Sequence, residues 1–345
     1  MFSVAVIKPD EIQLIDIPDP VPGDYEVRVK SEAACLCNAT DRKLIEGHFP
    51  GVDDYPLLLG HENVGVVDAV GPKVQNFNLG DRIIGGLLLN PTDPNIASGW
   101  GGFSEYVIAL DHKAMVADDV ADNAHGWYEV SEIMRKVPKT ISVEDAVMLC
   151  TWREVYAAFD DFDIKPGKDI LVYGSGPVGL SFLKFANLIG MNSIIAVDLL
   201  EEKRQKALEM GADQAFLPEE NSLAKYFKSR KRPFDYIIDA VGREQIINSA
   251  LPMIKMAGSI CVYGVIDKPS IRLNKSDGPY NFNLLVHQWP TRSGESAAQE
   301  PLIEWILDGK LSYREFISAE YQIHEIVKAY EESKTGLPIK TLMRF

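Results

Sequence analysis

Apolar and polar positions change their period once along this chain. Up to about residue 115 they mark short strands broken by Gly, Pro and Asp, at residues 1–9, 26–30, 65–70 and 81–85. That pattern predicts an all-β domain, partly closed into a barrel. A polar stretch follows at 117–135, carrying Asp118, Asp119, Asp122, His125 and Trp127. From about 151 strands and helices alternate: strands at 170–173, 194–198, 236–239 and 259–263, a helix running to about 189 and another at 201–210. Alternation at this spacing predicts a doubly wound parallel sheet. Amphipathic segments at 300–307 and 324–332 and a final strand at 339–345 return to the first domain. The expected division is therefore 1–150 with 291–345, and 151–290, a two-domain plan that suits 345 residues.

One run within the alternating half carries chemistry. Residues 170–173 are a short apolar strand, followed by Gly174-Ser-Gly176-Pro177-Val178-Gly179, a helix, and a second apolar strand closing on Asp198. Gly174 would make the tight turn, and Gly176 would let the backbone approach a pyrophosphate. Gly179 would let the helix sit close to the sheet, its N-terminus turned toward the phosphates. Asp198, 19 residues after Gly179, is spaced to accept hydrogen bonds from an adenosine ribose. A carboxylate there repels a 2′-phosphate, so the motif favours NAD over NADP.

Composition narrows the partners. Net charge is −15, which argues against nucleic acid or an anionic membrane surface. No run of 18 apolar residues is present, and the N-terminus lacks a basic flank and a small-residue cleavage site. Four cysteines make no disulfide framework, so a reducing, cytoplasmic compartment is expected.

A second constellation lies in the β-rich half. Gly60-His61-Glu62 precedes an apolar strand, and Cys37 stands 24 residues before His61. Each alone is unremarkable. In order, though, come Cys37-Asn-Ala-Thr40-Asp41, Gly60-His61-Glu62-Asn-Val-Gly65, Val70-Gly71, Leu79-Gly80-Asp81-Arg82, Gly101-Gly-Phe-Ser-Glu105-Tyr106 and Val137-Pro138. The glycine run and the ending Gly336-Leu-Pro-Ile-Lys-Thr-Leu complete the series. The whole chain thereby resembles the zinc-dependent medium-chain dehydrogenase/reductase family, nearest its sorbitol/polyol and threonine dehydrogenase branches.

The resemblance implies an α/β protein: a GroES-like, partly open β-barrel catalytic domain plus a Rossmann domain. It implies one catalytic Zn²⁺ per chain and NAD(H). Cys37 and His61 are similar in position to the first two zinc ligands and Cys150 to the third, a Cys₂His set with an open position. Glu62 resembles the glutamate beside the metal; should Cys150 point away, Glu62 or Glu154 would complete the sphere. Val241 and Val265 fall in segments that border the cofactor in the family. The four closely spaced cysteines of a structural zinc lobe are missing, since residues 86–101 hold no Cys.

Two departures stand out. Asn38-Ala39-Thr40-Asp41-Arg42 replaces the family's usual continuation and lacks its proton-relaying histidine, which leaves Thr40 as the relay hydroxyl. The segment Cys150-Thr-Trp152-Arg153-Glu154 replaces the Glu-Pro-Leu common in polyol enzymes. The implied reaction interconverts a secondary alcohol and its ketone by hydride transfer, the substrate being a polyol or sugar alcohol. Glu105, Arg153, Glu154, His287 and Arg292 are the polar groups available to such a substrate, and Trp100, Trp152 and Trp289 could line a pocket for a simpler one. Two alternatives stay open: a zinc-free NADPH quinone or enone reductase, and a dinucleotide-binding protein without catalysis. The resemblance further implies a homodimer or homotetramer associating through the cofactor domain, and residues 263–285, including Tyr280 and Phe282, are apolar enough to be the contacting surface.

Overall fold

The computed structural model describes residues 1–345 apart from 219, 220, 231 and 267. The chain forms two compact units, Met1–Cys150 with Gln299–Phe345, and Thr151–Ala298.

The first unit is built on the eleven-residue strand Glu26–Leu36. It pairs antiparallel with Asn63–Val70, Tyr106–Leu110 and Lys340–Arg344, at the middle of the strand order Ile317–Gln322, Lys340–Arg344, Glu26–Leu36, Asn63–Val70, Arg82–Ile84, Arg135–Val137. Register shifts at Arg28/Val29 and Ser31/Ala33 bend this strand, which is how a sheet curls toward a barrel. A second sheet, Glu11–Asp16, Phe2–Lys8, Leu57–Leu58 and Ala97–Ser98, lies in the same unit. Inward residues of Glu26–Leu36 feed two apolar clusters, Val27 and Val29 entering one, Ala34 and Leu36 the other. The polar stretch at 117–135 settles into short 3-10 turns, Asn123–His125 and Glu129–Ile133.

The second unit is a six-stranded parallel sheet. Its order is Gln214–Phe216, Ser193–Val197, Asp169–Tyr173, Phe234–Asp239, Ile254–Val262, Asn283–Val286, or 3-2-1-4-5-6 in chain order, the dinucleotide-binding arrangement. Asp169–Tyr173 is buried at every position, as a strand covered on both faces must be. Ile170, Leu171 and Val172 are each 0% exposed, worth ~1.5–3 kcal/mol apiece in buried apolar surface. The helix Pro177–Leu188 starts with proline in its first turn and ends at Gly190, whose φ of +80° gives the left-handed stop.

The helix Val143–Asp161 runs through the first change of unit. It is buried along most of its length, Asp145, Thr151 and Arg153 included, so it lacks the one-faced periodicity that marks a helix in sequence. The sequence boundary at 290 also differs from the structural one at Ala298. The short helix Arg292–Ala297 stays with the second unit because buried Glu295 pairs with Arg153 at 3.7 Å and Arg292 at 2.7 Å.

Candidate functional site

Strand register alone assembles the first site. Thr341 pairs with Leu36, and Ala34 with Asn63. The C-terminal end of Glu26–Leu36 therefore meets the starts of two neighbouring strands. Cys37 follows that end, His61-Glu62 lead into Asn63–Val70, and Lys340 opens Lys340–Arg344. Backbone bonds fasten the junction, the Cys35 N–H donating to the Glu62 carbonyl at 2.9 Å.

Donor atoms of Cys37, His61 and Glu62 all lie within 4.8 Å of one another. Buried Asp41 organises two of them: its Oδ2 accepts the Cys37 N–H at 2.8 Å, and its Oδ1 stands 3.2 Å from His61 Nδ1. That second contact is an ion pair, not a well-aligned hydrogen bond. A carboxylate beside Nδ1 favours a proton there and so turns the Nε2 lone pair, 3.9 Å from Glu62 Oε1, to the role of metal ligand. Lys340, 1% exposed, reaches both Glu62 oxygens at 2.7 and 2.6 Å. Burial disfavours the Cys37 thiolate, but His61 outweighs it and lowers the thiol's pKa. Burial likewise opposes the imidazolium, yet Asp41 and Cys37 raise His61 well above its usual range. Lys340 is raised too, its own burial overcome by Glu62 and the cysteines.

A thiolate, an imidazole and a carboxylate match the donor set that zinc takes, so the residues present fit that ion. Cys150 and Glu154 are not in this group. The Cys150 thiol instead donates to the Asn63 carbonyl at 3.6 Å, and Glu154 sits half-buried in the second unit. Thr40, buried, begins the short helix Thr40–Ile45. Lys340 went unrecognised in the sequence; its signal was a lone lysine within the apolar ending Pro-Ile-Lys-Thr-Leu-Met. Two surface clefts of this unit, about 570 and 220 Å³, hold no member of the donor group.

The second unit carries the other constellation. Gly174 turns at φ +90°, and a Cβ on Gly179 would stand 1.7 Å from the Gly174 carbonyl oxygen, so both glycines answer to the fold. A Cβ on Gly176 would meet nothing within 4 Å. Asp198, just past Ser193–Val197, accepts the Ser175 N–H at 2.7 Å and the Leu200 N–H at 2.9 Å, which leaves acceptor capacity on each oxygen. Pro177 and Val178 open the helix, half-buried. Across the sheet's switch point, buried Asp239 accepts N–H groups from Val241, Gly242 and Arg243 at 2.8–3.0 Å, aiming the turn that bears Val241. Val241 is 39% exposed beside Gly174, and Val265 is half-buried.

Three of the other expected groups are committed elsewhere. Trp152 is fully buried core, Arg153 is fully buried against Glu295, and the His287 ring lies 5.4 Å from Phe162.

Comparison with known proteins agrees with this arrangement. The alcohol dehydrogenase GroES-like domain family matches residues 23–119, and the zinc-binding dehydrogenase family matches 177–288. A probable zinc-binding alcohol dehydrogenase of Mycobacterium tuberculosis is 30% identical over 278 residues, 77% of this chain and 69% of that one. A sorbitol dehydrogenase of Bombyx mori is 25% identical over 342 residues, 97% of this chain and 95% of that one. The crystal structure of an alcohol dehydrogenase from Escherichia coli CFT073, complexed with NADH, superposes with a TM-score of 0.80 at 22% identity, covering 100% of this chain and 99% of that one. With a GroES-like barrel bearing a Cys-His-Glu cluster and a Rossmann sheet bearing a glycine loop, the chain belongs to the zinc-binding medium-chain alcohol dehydrogenase family.

Proposed function

We propose that this protein is a zinc-dependent NAD(H) oxidoreductase that interconverts a secondary alcohol, a polyol or sugar alcohol, with its ketone. The observation that carries the reading is the convergence of Cys37, His61 and Glu62 within 4.8 Å. When bound, zinc supplies Lewis acidity to an alcohol oxygen and NAD accepts a hydride.

The chain's own residues do the remaining work. Asp41 favours the His61 proton on Nδ1, so that Nε2 would be the atom to hold the ion. Lys340 fixes the Glu62 carboxylate and balances its charge within the barrel. Thr40 is the hydroxyl through which the substrate proton leaves. Asp198 accepts the adenosine ribose hydroxyls, and the backbone at Gly174, Gly176, Pro177 and Val178 receives the pyrophosphate at the helix N-terminus. Val241 and Val265 border the nucleotide.

Assembly as a homodimer or homotetramer is part of this reading. It is supported by the outer strand Asn283–Val286, which pairs on one side with Ile254–Val262, and by Tyr280, 89% exposed close before it. A cytoplasmic setting is supported by the free state of all four cysteines. Among the described residues no helix is long and apolar enough to cross a membrane.

The test is NADH formation from NAD across sugar alcohols, vicinal diols, threonine and simple secondary alcohols, repeated with NADP, alongside metal analysis. The expected result is NAD-linked turnover on one alcohol class with one zinc per chain. Cys37→Ser should lose both turnover and zinc while still binding NADH. Turnover at the wild-type rate in that variant would refute the zinc mechanism.

A further inference from the structure

Among the described residues five non-glycine positions hold a positive φ, and Trp100, at +72°, is the one aromatic among them. Asp tolerates this region; a bulky side chain there is strained, and such strain persists where the surroundings impose it. Here they do. The Trp100 N–H donates to Ser98 Oγ at 3.1 Å, and Ser98 Oγ donates to the Leu88 carbonyl at 2.6 Å. The Leu88 N–H returns to the Trp100 carbonyl at 2.8 Å, and two residues on the Gly102 N–H donates to Gly60, immediately before His61, at 2.6 Å. The loop is thus sewn to the segment that carries the histidine donor.

What the strain achieves is the position of the indole. Its ring lies 5.4 Å from the His61 ring, inclined by 59°, and 5.7 Å from Phe49, edge-on at 85°. One side leans on both apolar clusters of the barrel, yet Trp100 and Phe49 each remain part-exposed. Simple filling of the core would not need a strained backbone or leave the ring open. The charged groups around the His61 donor, Asp41, Glu62 and Lys340, are engaged with one another or with His61.

We propose that Trp100 determines substrate specificity, forming with Phe49 an apolar wall beside the His61 donor that selects secondary alcohols borne on a ring. The inference rests on the dehydrogenase reading and narrows its substrate class to ring-borne alcohols and cyclic polyols, setting the open-chain sugar alcohols aside. A ring presents a flat C–H or aryl face that lies against an indole and sheds water from both surfaces. An open-chain polyol would press hydroxyls against the same wall, where they find no partner.

Cyclohexanol and trans-1,2-cyclohexanediol are the ring probes, sorbitol and 2,3-butanediol the open-chain ones. In the zinc-loaded protein with NAD, Trp100→Ala should lower the ratio of kcat/KM for cyclohexanol over that for sorbitol by about tenfold. Trp100→Phe, which keeps an aromatic face, should recover most of it. Independently of turnover, cyclohexanol should shift tryptophan emission to the blue in the wild type, sorbitol should not, and Trp100→Phe should abolish the shift. An unchanged ratio in Trp100→Ala, with NAD-linked turnover intact, would overturn the wall and leave the dehydrogenase reading standing. Absence of turnover on every alcohol, with the emission shift present, would overturn the dehydrogenase reading and keep the wall. Should Trp100→Ala fail to fold, the emission shift and the Trp100→Phe ratio decide: a shift that survives Trp100→Phe refutes the proposal.

Discussion

One methyl group added at Gly176 and, separately, at Gly179 divides what a nucleotide demands of this loop from what the fold demands. At Gly179 the new Cβ would lie 1.7 Å from the Gly174 carbonyl oxygen and 2.7 Å from its carbon. A carbon and a carbonyl oxygen approach no closer than about 3.3 Å, so the helix must retreat by roughly 1.6 Å. The obstacle is backbone and cannot rotate aside, which puts the cost at the top of the overpacking range, ~3 kcal/mol. At Gly176 the Cβ meets nothing within 4 Å, and φ is −74°, open to any residue. Losing glycine at the helix N-cap costs ~0.5 kcal/mol. The stiffer unfolded chain returns ~0.4–1 kcal/mol, so stability should stay near that of the wild type. Nucleotide affinity should not. A methyl pointing into the phosphate approach that removes one charge-assisted hydrogen bond costs ~1.5–3 kcal/mol, or about 10- to 150-fold in Kd. Urea unfolding followed by circular dichroism, and NADH fluorescence titration, read the two effects separately. Wild-type NADH affinity in Gly176→Ala would refute the assignment of this loop to a pyrophosphate. Wild-type stability in Gly179→Ala would refute the close approach of helix and strand.

Asp198→Ala should weaken NADH by about 10- to 150-fold, the value of a hydrogen bond to a charged group, and narrow the preference over NADPH, both read by fluorescence titration. Lys340→Met leaves Glu62 a buried carboxylate without its cation and should destabilise the metal-free protein by ~3–5 kcal/mol. Zinc restores a cation beside Glu62, so unfolding with and without chelator should differ more in the variant than in the wild type; equal losses would separate Glu62 from the metal. Burial disfavours the Asp235 carboxylate, but the Asp169 N–H at 2.9 Å and Lys255 together hold its pKa below the usual range. A depressed carboxyl contributes stability above its unfolded pKa and loses it as pH falls through the folded value. Asp235→Asn should therefore lower stability at neutral pH and flatten the decline below about pH 4, measured as urea midpoints against pH.

How much the sequence disclosed depended on how far apart the interacting residues lie. The glycine run and Asp198 were legible because strand, turn, helix and acid fit within thirty residues from Asp169 to Asp198, each with a local task. The β-rich half was legible as strands, and its donors as a resemblance. Lys340 was hidden because its partner stands 278 residues away, and nothing near it in sequence mentions Glu62. The helix Val143–Asp161 was hidden because polar Asp145, Thr151 and Arg153 are buried along with its apolar residues, which blurs the polar face that periodicity needs. Arg153 looked like a group for a polar substrate; only the fold reveals that Glu295 neutralises it along with Arg292.

The two constellations are consequently vulnerable to different perturbations. The glycine loop is made by one stretch of chain, so its geometry survives changes elsewhere in the sheet and fails to changes of a single methyl group. The donor cluster is made by register. Cys37, Glu62 and Lys340 meet because Leu36 faces Thr341 and Ala34 faces Asn63 across neighbouring strands. A slip of one residue in the C-terminal strand would turn Lys340 to the opposite face of the sheet and present Thr341 or Ile339 to Glu62. Apolar Leu342 and Met343, both 0% exposed on opposite faces of that strand, hold it between two covered surfaces but do not by themselves distinguish one register from the next. The charge does: the observed register pairs the buried lysine with the buried glutamate, and a slip of one residue separates them. The pair that balances the donor site thus also specifies the strand alignment that builds it.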